Sequence, residues 1–149
     1  MSALISEDLV VLDVDVPDRE TVTRLLAERL QAAGRVTDLD GFLADVRARE
    51  AVMPTGLPGG IGIPHCRSAH VTQPTLGFAR VPKGVDFGAE DGPANLIFLI
   101  AAPEGGGSEH LTILAKLARK LIHQSFRDSL LSAEKPGDVV ELIAKEVAP

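Results

Sequence analysis

The sequence predicts a layered α/β domain, and three observations carry that expectation. Val10, Leu12, Val14 and Val16 alternate with residues that include Asp13 and Asp15, the period of a half-buried strand. Two apolar runs, Thr75–Val81 and Leu96–Ile100, have the composition of buried strands. Segments with helical spacing stand before and after those runs, so strands and helices intermingle along the chain.

Each element has its own signal. Pro17 and Asp18 end the first strand, and Asp18 offers a helix cap. Val22, Leu25, Leu26, Arg29 and Ala33 follow at helical spacing, with Gly34 placed as a stop. A second helix from Asp40 turns Phe42, Leu43 and Val46 inward and ends near Arg49 and Glu50. Residues 54–65 read PTGLPGGIGIPH, and four glycines and three prolines in twelve residues exclude a long helix there. Glycine also permits close backbone approach to a ligand. Residues 82–93 read as turns and 102–108, APEGGGS, as a loop. Ser108 is placed to cap the next helix, whose expected apolar face is Leu111, Leu114, Ala118, Leu121 and Ile122. A short helix around Phe126–Leu131 and a last one over Asp138–Val147, with Pro136 before it, close the chain. No internal repeat or low-complexity linker interrupts this order, so a single domain over residues 1–149 is expected.

Composition excludes several function classes. Apolar residues make up 45% and charged residues 24% of 149, ordinary for a globular domain able to bury a core without staples. Lys plus Arg is 15 against 21 Asp plus Glu, a net charge of −6, which argues against nucleic acid as a partner. Tyr and Trp are absent, which removes the usual base-stacking platforms. The lone Cys66 can form neither an internal disulfide nor a cysteine metal cage, so a cytoplasmic location is the default. No leader pattern opens the chain, and Leu96–Ala102 is far short of the roughly 20 apolar residues of a membrane span, so no direct membrane insertion is expected.

Three residues are candidates for chemistry. His65 follows Pro64 at the end of the glycine-rich stretch, and a neutral imidazole nitrogen is a competent nucleophile toward phosphorus. A phosphoryl carrier also needs one ring nitrogen held by a hydrogen bond, donors around the phosphoryl oxygens, and a cation to balance their charge. His110 begins the face that continues with Leu114, Leu117 and Leu121, at a helix N-terminus that attracts anions. Arg49 closes the second helix just before the glycine stretch, and arginine binds phosphate through a two-pronged fork. Arg47, two residues away, points elsewhere on a helix. A histidine packed in a loop, a solvent-facing first-turn histidine and a surface cation at a helix end are the corresponding bland readings. No Gly-Lys-Ser/Thr follows the glycines, GxGxxG is incomplete, and neither HExxH nor CxxC occurs, so no nucleotide, zinc or other cofactor is expected. Cys66 reads as a small buried or half-buried thiol, and His70 and His123 as structural or surface residues.

The combination GGIGIPH at Gly59–His65, ARE at Ala48–Glu50, PTG at Pro54–Gly56, GVDF at Gly84–Phe87, LIFLIAAPE at Leu96–Glu104 and EHLTILAKLA at Glu109–Ala118 runs along nearly the whole chain. In order and spacing it resembles the fructose/mannitol-type enzyme IIA domain of the bacterial phosphoenolpyruvate-dependent sugar phosphotransferase system. The resemblance implies an α/β three-layer sandwich, a mixed β-sheet flanked by helices. It implies phosphorylation of His65, with Arg49 and His110 lining the pocket. The implied donor is the histidine carrier protein HPr, and the implied acceptor is a cysteine of a IIB domain that serves uptake of a sugar such as fructose or mannitol. Nitrogen-related regulatory paralogues share the same motifs and stand as the alternative.

Overall fold

The computed structural model describes residues 4–105 and 109–147, with the side chains of Glu109 and His110 outside the description. A 3₁₀ turn at Glu7–Leu9 leads into β1 (Val10–Val11), followed by α1 (Arg19–Ala32), α2 (Leu39–Val52), β2 (Gly56–Leu57), β3 (Ile61–Gly62), β4 (His65–Ser68), β5 (Thr75–Val85), β6 (Ala94–Pro103), α3 (Glu109–Leu121), α4 (Gln124–Ser132) and α5 (Pro136–Glu146). The sheet is mixed, in the order β1-β5-β6-β3-β2, with β4 also paired to β6. β1 runs parallel to β5, β5 antiparallel to β6, and β3 and β4 parallel to β6.

Caps explain where the first two helices lie. The Asp18 carboxylate accepts the Thr21 N–H at 2.8 Å and starts α1. At the other end Gly34, at φ +77, lets Arg35 N–H reach the Leu30 carbonyl at 2.8 Å and Gly34 N–H reach that of Gln31 at 3.0 Å, a Schellman ending. Asp38 caps α2 by accepting from Gly41 N–H, so that helix begins one residue before the expected Asp40. Phe42, Leu43 and Val46 are buried as expected.

The central hairpin β5–β6 supplies the core. Phe78 and Phe98 are opposite each other in the ladder, with ring centroids 5.0 Å apart. α1 packs on one face, where a Cβ on Gly77 would meet Leu30 and Leu26. α3 contacts β6, α5 contacts β1, and α4 and α5 both contact α3. The layers are thus helices, sheet and helices, an α/β sandwich.

Several features differ from the sequence reading. The first strand stops at Val11, because Asp13 takes φ +58 and turns its carboxylate onto Arg80. The glycine stretch is a hairpin, β2 against β3, rather than a plain loop. β5 runs on through Pro82–Val85 past a register shift, and β6 runs through Ala102 and Pro103, because paired neighbours extend the ladders beyond the apolar runs. The inward face of α3 is Ile113, Leu117 and Leu121. Leu111 (56% exposed) and Ile122 (74% exposed) point away from the core. Ser108 lies outside the described residues. None of the helices among the described residues is long and apolar enough to cross a membrane.

Candidate functional site

His65 opens β4, opposite Ile100 of β6. Pro64 has no N–H to give the ladder, so β3 and β4 are two segments of one interrupted run beside β6, with Gly62 opposite Ile97 and His65 opposite Ile100. The Pro64 carbonyl still accepts from Ile100 N–H at 3.0 Å. At this interruption the Ile63 carbonyl lies 2.7 Å from His65 Nδ1. A carbonyl can only accept, so Nδ1 donates, and in the neutral ring Nε2 is left with its lone pair. Sequence alone gave a histidine; the fold gives it a defined tautomer and a defined free nitrogen.

The segment that holds the imidazole is itself held. Ile63 N–H donates to the Thr55 carbonyl at 3.2 Å. Both the N–H and the hydroxyl of Thr55 donate to the Glu50 carboxylate, each at 2.8 Å. Glu50 thus fixes Thr55, Thr55 fixes Ile63, and Ile63 fixes the ring. From the other side, the fully buried Ser68 hydroxyl donates to Asp45 at 2.6 Å and ties β4 to α2.

His65 borders a surface cleft of about 460 Å³, lined also by Asp45, Ala48 and Arg49 of α2 and by Leu111 and Leu114 of α3. Residues 45, 48 and 49 share one face of a helix, which is why Arg49 reaches this cleft and Arg47 does not. Arg49 lines the cleft together with the imidazole and has no hydrogen bond or ion pair among the described residues. Arg67 also lines the cleft and donates to the Glu104 carbonyl at 2.6 Å. The side chain of His110 lies outside the described residues, although its backbone is in the first turn of α3, next to Leu111. The structure therefore brings two of the three candidates together.

Glu50, Asp45 and Arg67 were not singled out from sequence. Asp45 sits four residues before Arg49, a spacing that marks it as a neighbour on the same helix face. Glu50 carries no such signal, because its partner Thr55 lies beyond the helix end.

The glycines act differently from the sequence reading. A Cβ on Gly62 would lie 2.7 Å from the Phe87 ring, so this glycine makes room for a core phenylalanine. The hairpin turn at Gly60 bonds to Asn95 and Leu96, while His65 pairs at Ile100. That separation is roughly 16 Å along a strand, so the turn glycines do not surround the imidazole. His70 is half-buried against Gly41, and His123 is exposed at the start of α4.

Cys66 is buried, and burial together with the nearby Asp45 carboxylate pushes its thiol up to about 12. Since a thiol is a nucleophile only as thiolate, this environment disfavours reaction at Cys66 in the folded protein. Ellman's reagent at pH 8 is expected to label Cys66 roughly 10³-fold more slowly in the native protein than in urea. Equal rates would show that the thiol is open to solvent and ionises normally.

The fold and cleft define a class: an α/β sandwich that presents an oriented imidazole and an arginine in one surface cleft. The family described as "Phosphoenolpyruvate-dependent sugar phosphotransferase system, EIIA 2" matches residues 3–146, and the chain belongs to it. A "PTS system fructose-specific EIIA component" of Haloferax volcanii is 38% identical, over 99% of this chain and 96% of that protein. The chain spans only 23% of the fructose-specific EIIABC component of Bacillus subtilis, at 33% identity. Among solved structures, nitrogen regulatory protein IIA-Ntr from Neisseria meningitidis is similar at TM-score 0.86 and 33% identity, over 94% of this chain and 96% of that one. IIA mannitol from Escherichia coli is similar at TM-score 0.79 and 27% identity, over 93% and 98%. The chain is thus an enzyme IIA domain of the fructose/mannitol-type family.

Proposed function

We propose that this chain is a cytoplasmic phosphocarrier that takes a phosphoryl group from phospho-HPr onto Nε2 of His65 and passes it to a cysteine of a IIB domain, for uptake of a sugar of the fructose or mannitol class. The observation that carries the reading is the Nδ1–Ile63 hydrogen bond, which leaves the Nε2 lone pair for a cleft that Arg49 also lines. In the first step the Nε2 lone pair forms an N–P bond, and the donor's own N–P bond breaks with its electrons returning to the donor imidazole. In the second step an incoming thiolate forms an S–P bond, and the His65 N–P electrons return to Nε2. The Nδ1 proton stays on the ring throughout, which keeps the leaving imidazole neutral after transfer. Such transfers depend on positioning and charge balance. Arg49 supplies the balancing charge, and His110, at the start of α3, completes the pocket. A solved complex of IIA mannitol with phosphorylated IIB mannitol from Escherichia coli is similar to this chain at TM-score 0.78 and 25% identity, over 95% of this chain and 99% of that one, and it supports a IIB domain as acceptor.

Arg49→Ala is expected to slow transfer about tenfold or more, the worth of one charge-assisted interaction. Arg49→Lys restores part of the rate, because it keeps the charge and loses the fork. Native transfer by the alanine variant would reduce Arg49 to a surface cation.

The similarity to IIA-Ntr supports a second reading, a regulatory module whose phosphorylation state controls binding to another protein. One experiment separates the two. Phosphorylated protein is freed of HPr and mixed with a cognate IIB domain. A carrier gives up its label to the IIB cysteine on the timescale of transport. Retained label, with one phosphorylation state binding a non-transport protein tightly, identifies the regulator.

A further inference from the structure

A second cavity, of about 670 Å³, lies across α2 from the His65 cleft, between α2 and the start of α1. Its apolar wall includes Val46, Pro64 and Phe87. Its polar wall carries three guanidinium groups, Arg19, Arg24 and Arg47, against two carboxylates, Glu20 and Glu50. In a protein of net charge −6 this is a local excess of positive charge. Arg24 is turned toward Glu28, and both Glu50 oxygens are taken by Thr55. Arg19 reaches Glu50 only at 3.8 Å, and Arg47 has no partner among the described residues.

Thr23 adds an independent observation. It is only 7% exposed and lines the same cavity. A helical threonine usually donates to the carbonyl one turn back, yet the Thr23 hydroxyl has no hydrogen bond among the described residues. Burying a hydroxyl without a partner is costly, so native structures rarely leave one idle. An anionic head in this cavity would accept from Thr23 and from the arginines, while the wall of Val46, Pro64 and Phe87 takes an apolar body.

We propose that this cavity is a binding site for a small organic oxyanion, a phosphate monoester or carboxylate on an apolar body, distinct from the His65 cleft. An occupant touches Pro64 and so lies one residue from His65, on the face of α2 opposite Arg49.

The test is an NMR titration of the full chain with phenyl phosphate, repeated on Arg49→Ala. Saturable shifts are expected at Thr23, Val46, Phe87 and the Arg47 side chain, with the same affinity in Arg49→Ala. Arg47→Ala should weaken binding about tenfold and the near-isosteric Thr23→Val about fivefold. Inorganic phosphate should bind at least about tenfold more weakly, because it leaves the apolar wall empty. The proposal is overturned by absence of saturable shifts, or by shifts confined to the His65 cleft and lost in Arg49→Ala. Native affinity in both Thr23→Val and Arg47→Ala would overturn it as well. Equal affinity for inorganic phosphate would mean an adventitious ion only.

Discussion

His65→Ala is expected to fold normally and to lose phosphoryl acceptance by at least about 10⁴-fold, as removal of a nucleophile does. The fold survives because the imidazole is half-buried at the start of an edge segment and makes one hydrogen bond among the described residues, to Ile63, worth about 1 kcal/mol. The β4–β6 ladder is made by backbone groups that the substitution leaves in place. The native protein should carry a label that acid removes and alkali spares, as for a phosphoramidate. Its position is a sharper readout than its presence. With Nδ1 donating to a carbonyl, the phosphoryl group belongs on Nε2, and nitrogen NMR of the phosphorylated protein distinguishes the two ring positions. Phosphorylation at Nδ1 would mean that the Ile63 hydrogen bond breaks before transfer, and full labelling of the alanine variant would move the site elsewhere.

How much of this was legible beforehand follows from the range of each interaction. Asp18 as a cap and Gly34 as a stop are local events within one turn, and their residue types state them directly. Arg49 facing one way and Arg47 the other follows from helical spacing alone. The orientation of His65 was not legible, because it depends on a carbonyl left over where Pro64 interrupts the run paired to β6, whose partner residue Ile100 lies 35 residues away. The glycines misled in an instructive way. Close backbone approach was the right physics, but what approaches Gly62 is Phe87 rather than a ligand. The face of α3 was misphased because Leu111 serves the cleft rather than the core, and hydrophobicity does not distinguish those uses. The first strand was overextended for a reason no pattern of apolar residues contains: Asp13 leaves the sheet to meet a buried arginine 67 residues away.

That arginine carries the largest expected effect on stability. Arg80, 8% exposed, points from β5 and holds the Asp13 carboxylate with both prongs, Nε at 2.7 Å and Nη2 at 2.9 Å. Its Nη1 donates to the carbonyls of Leu130, Leu131 and Ala133, at 3.0, 3.1 and 2.7 Å, the otherwise orphaned groups at the end of α4. One side chain therefore joins the loop after β1, the central sheet and the helical layer beyond it. Arg80→Ala is expected to cost about 3–5 kcal/mol, because it strips one buried and two half-buried carbonyls of their donor, leaves Asp13 without its partner and opens a gap under α4. For a chain of this size that lowers the melting temperature by roughly 10 °C. Asp13→Asn should cost far less, since the Asp13 side chain is 58% exposed and water replaces what it loses. Hydrogen bonding from Arg80 holds the Asp13 carboxyl below its ordinary 3.8. Its contribution is therefore complete above pH about 4 and is lost as pH falls through the lowered folded value. Urea melts from pH 7 to pH 3 should show this acid slope in the native protein and a shallower one in Arg80→Ala. Arg80 pairs opposite Leu96, four residues along β6 from the His65 partner Ile100, so the folded variant should retain native phosphoryl transfer at low temperature. A melting temperature within about 3 °C of native would show that water satisfies the α4 carbonyls as well as the guanidinium does.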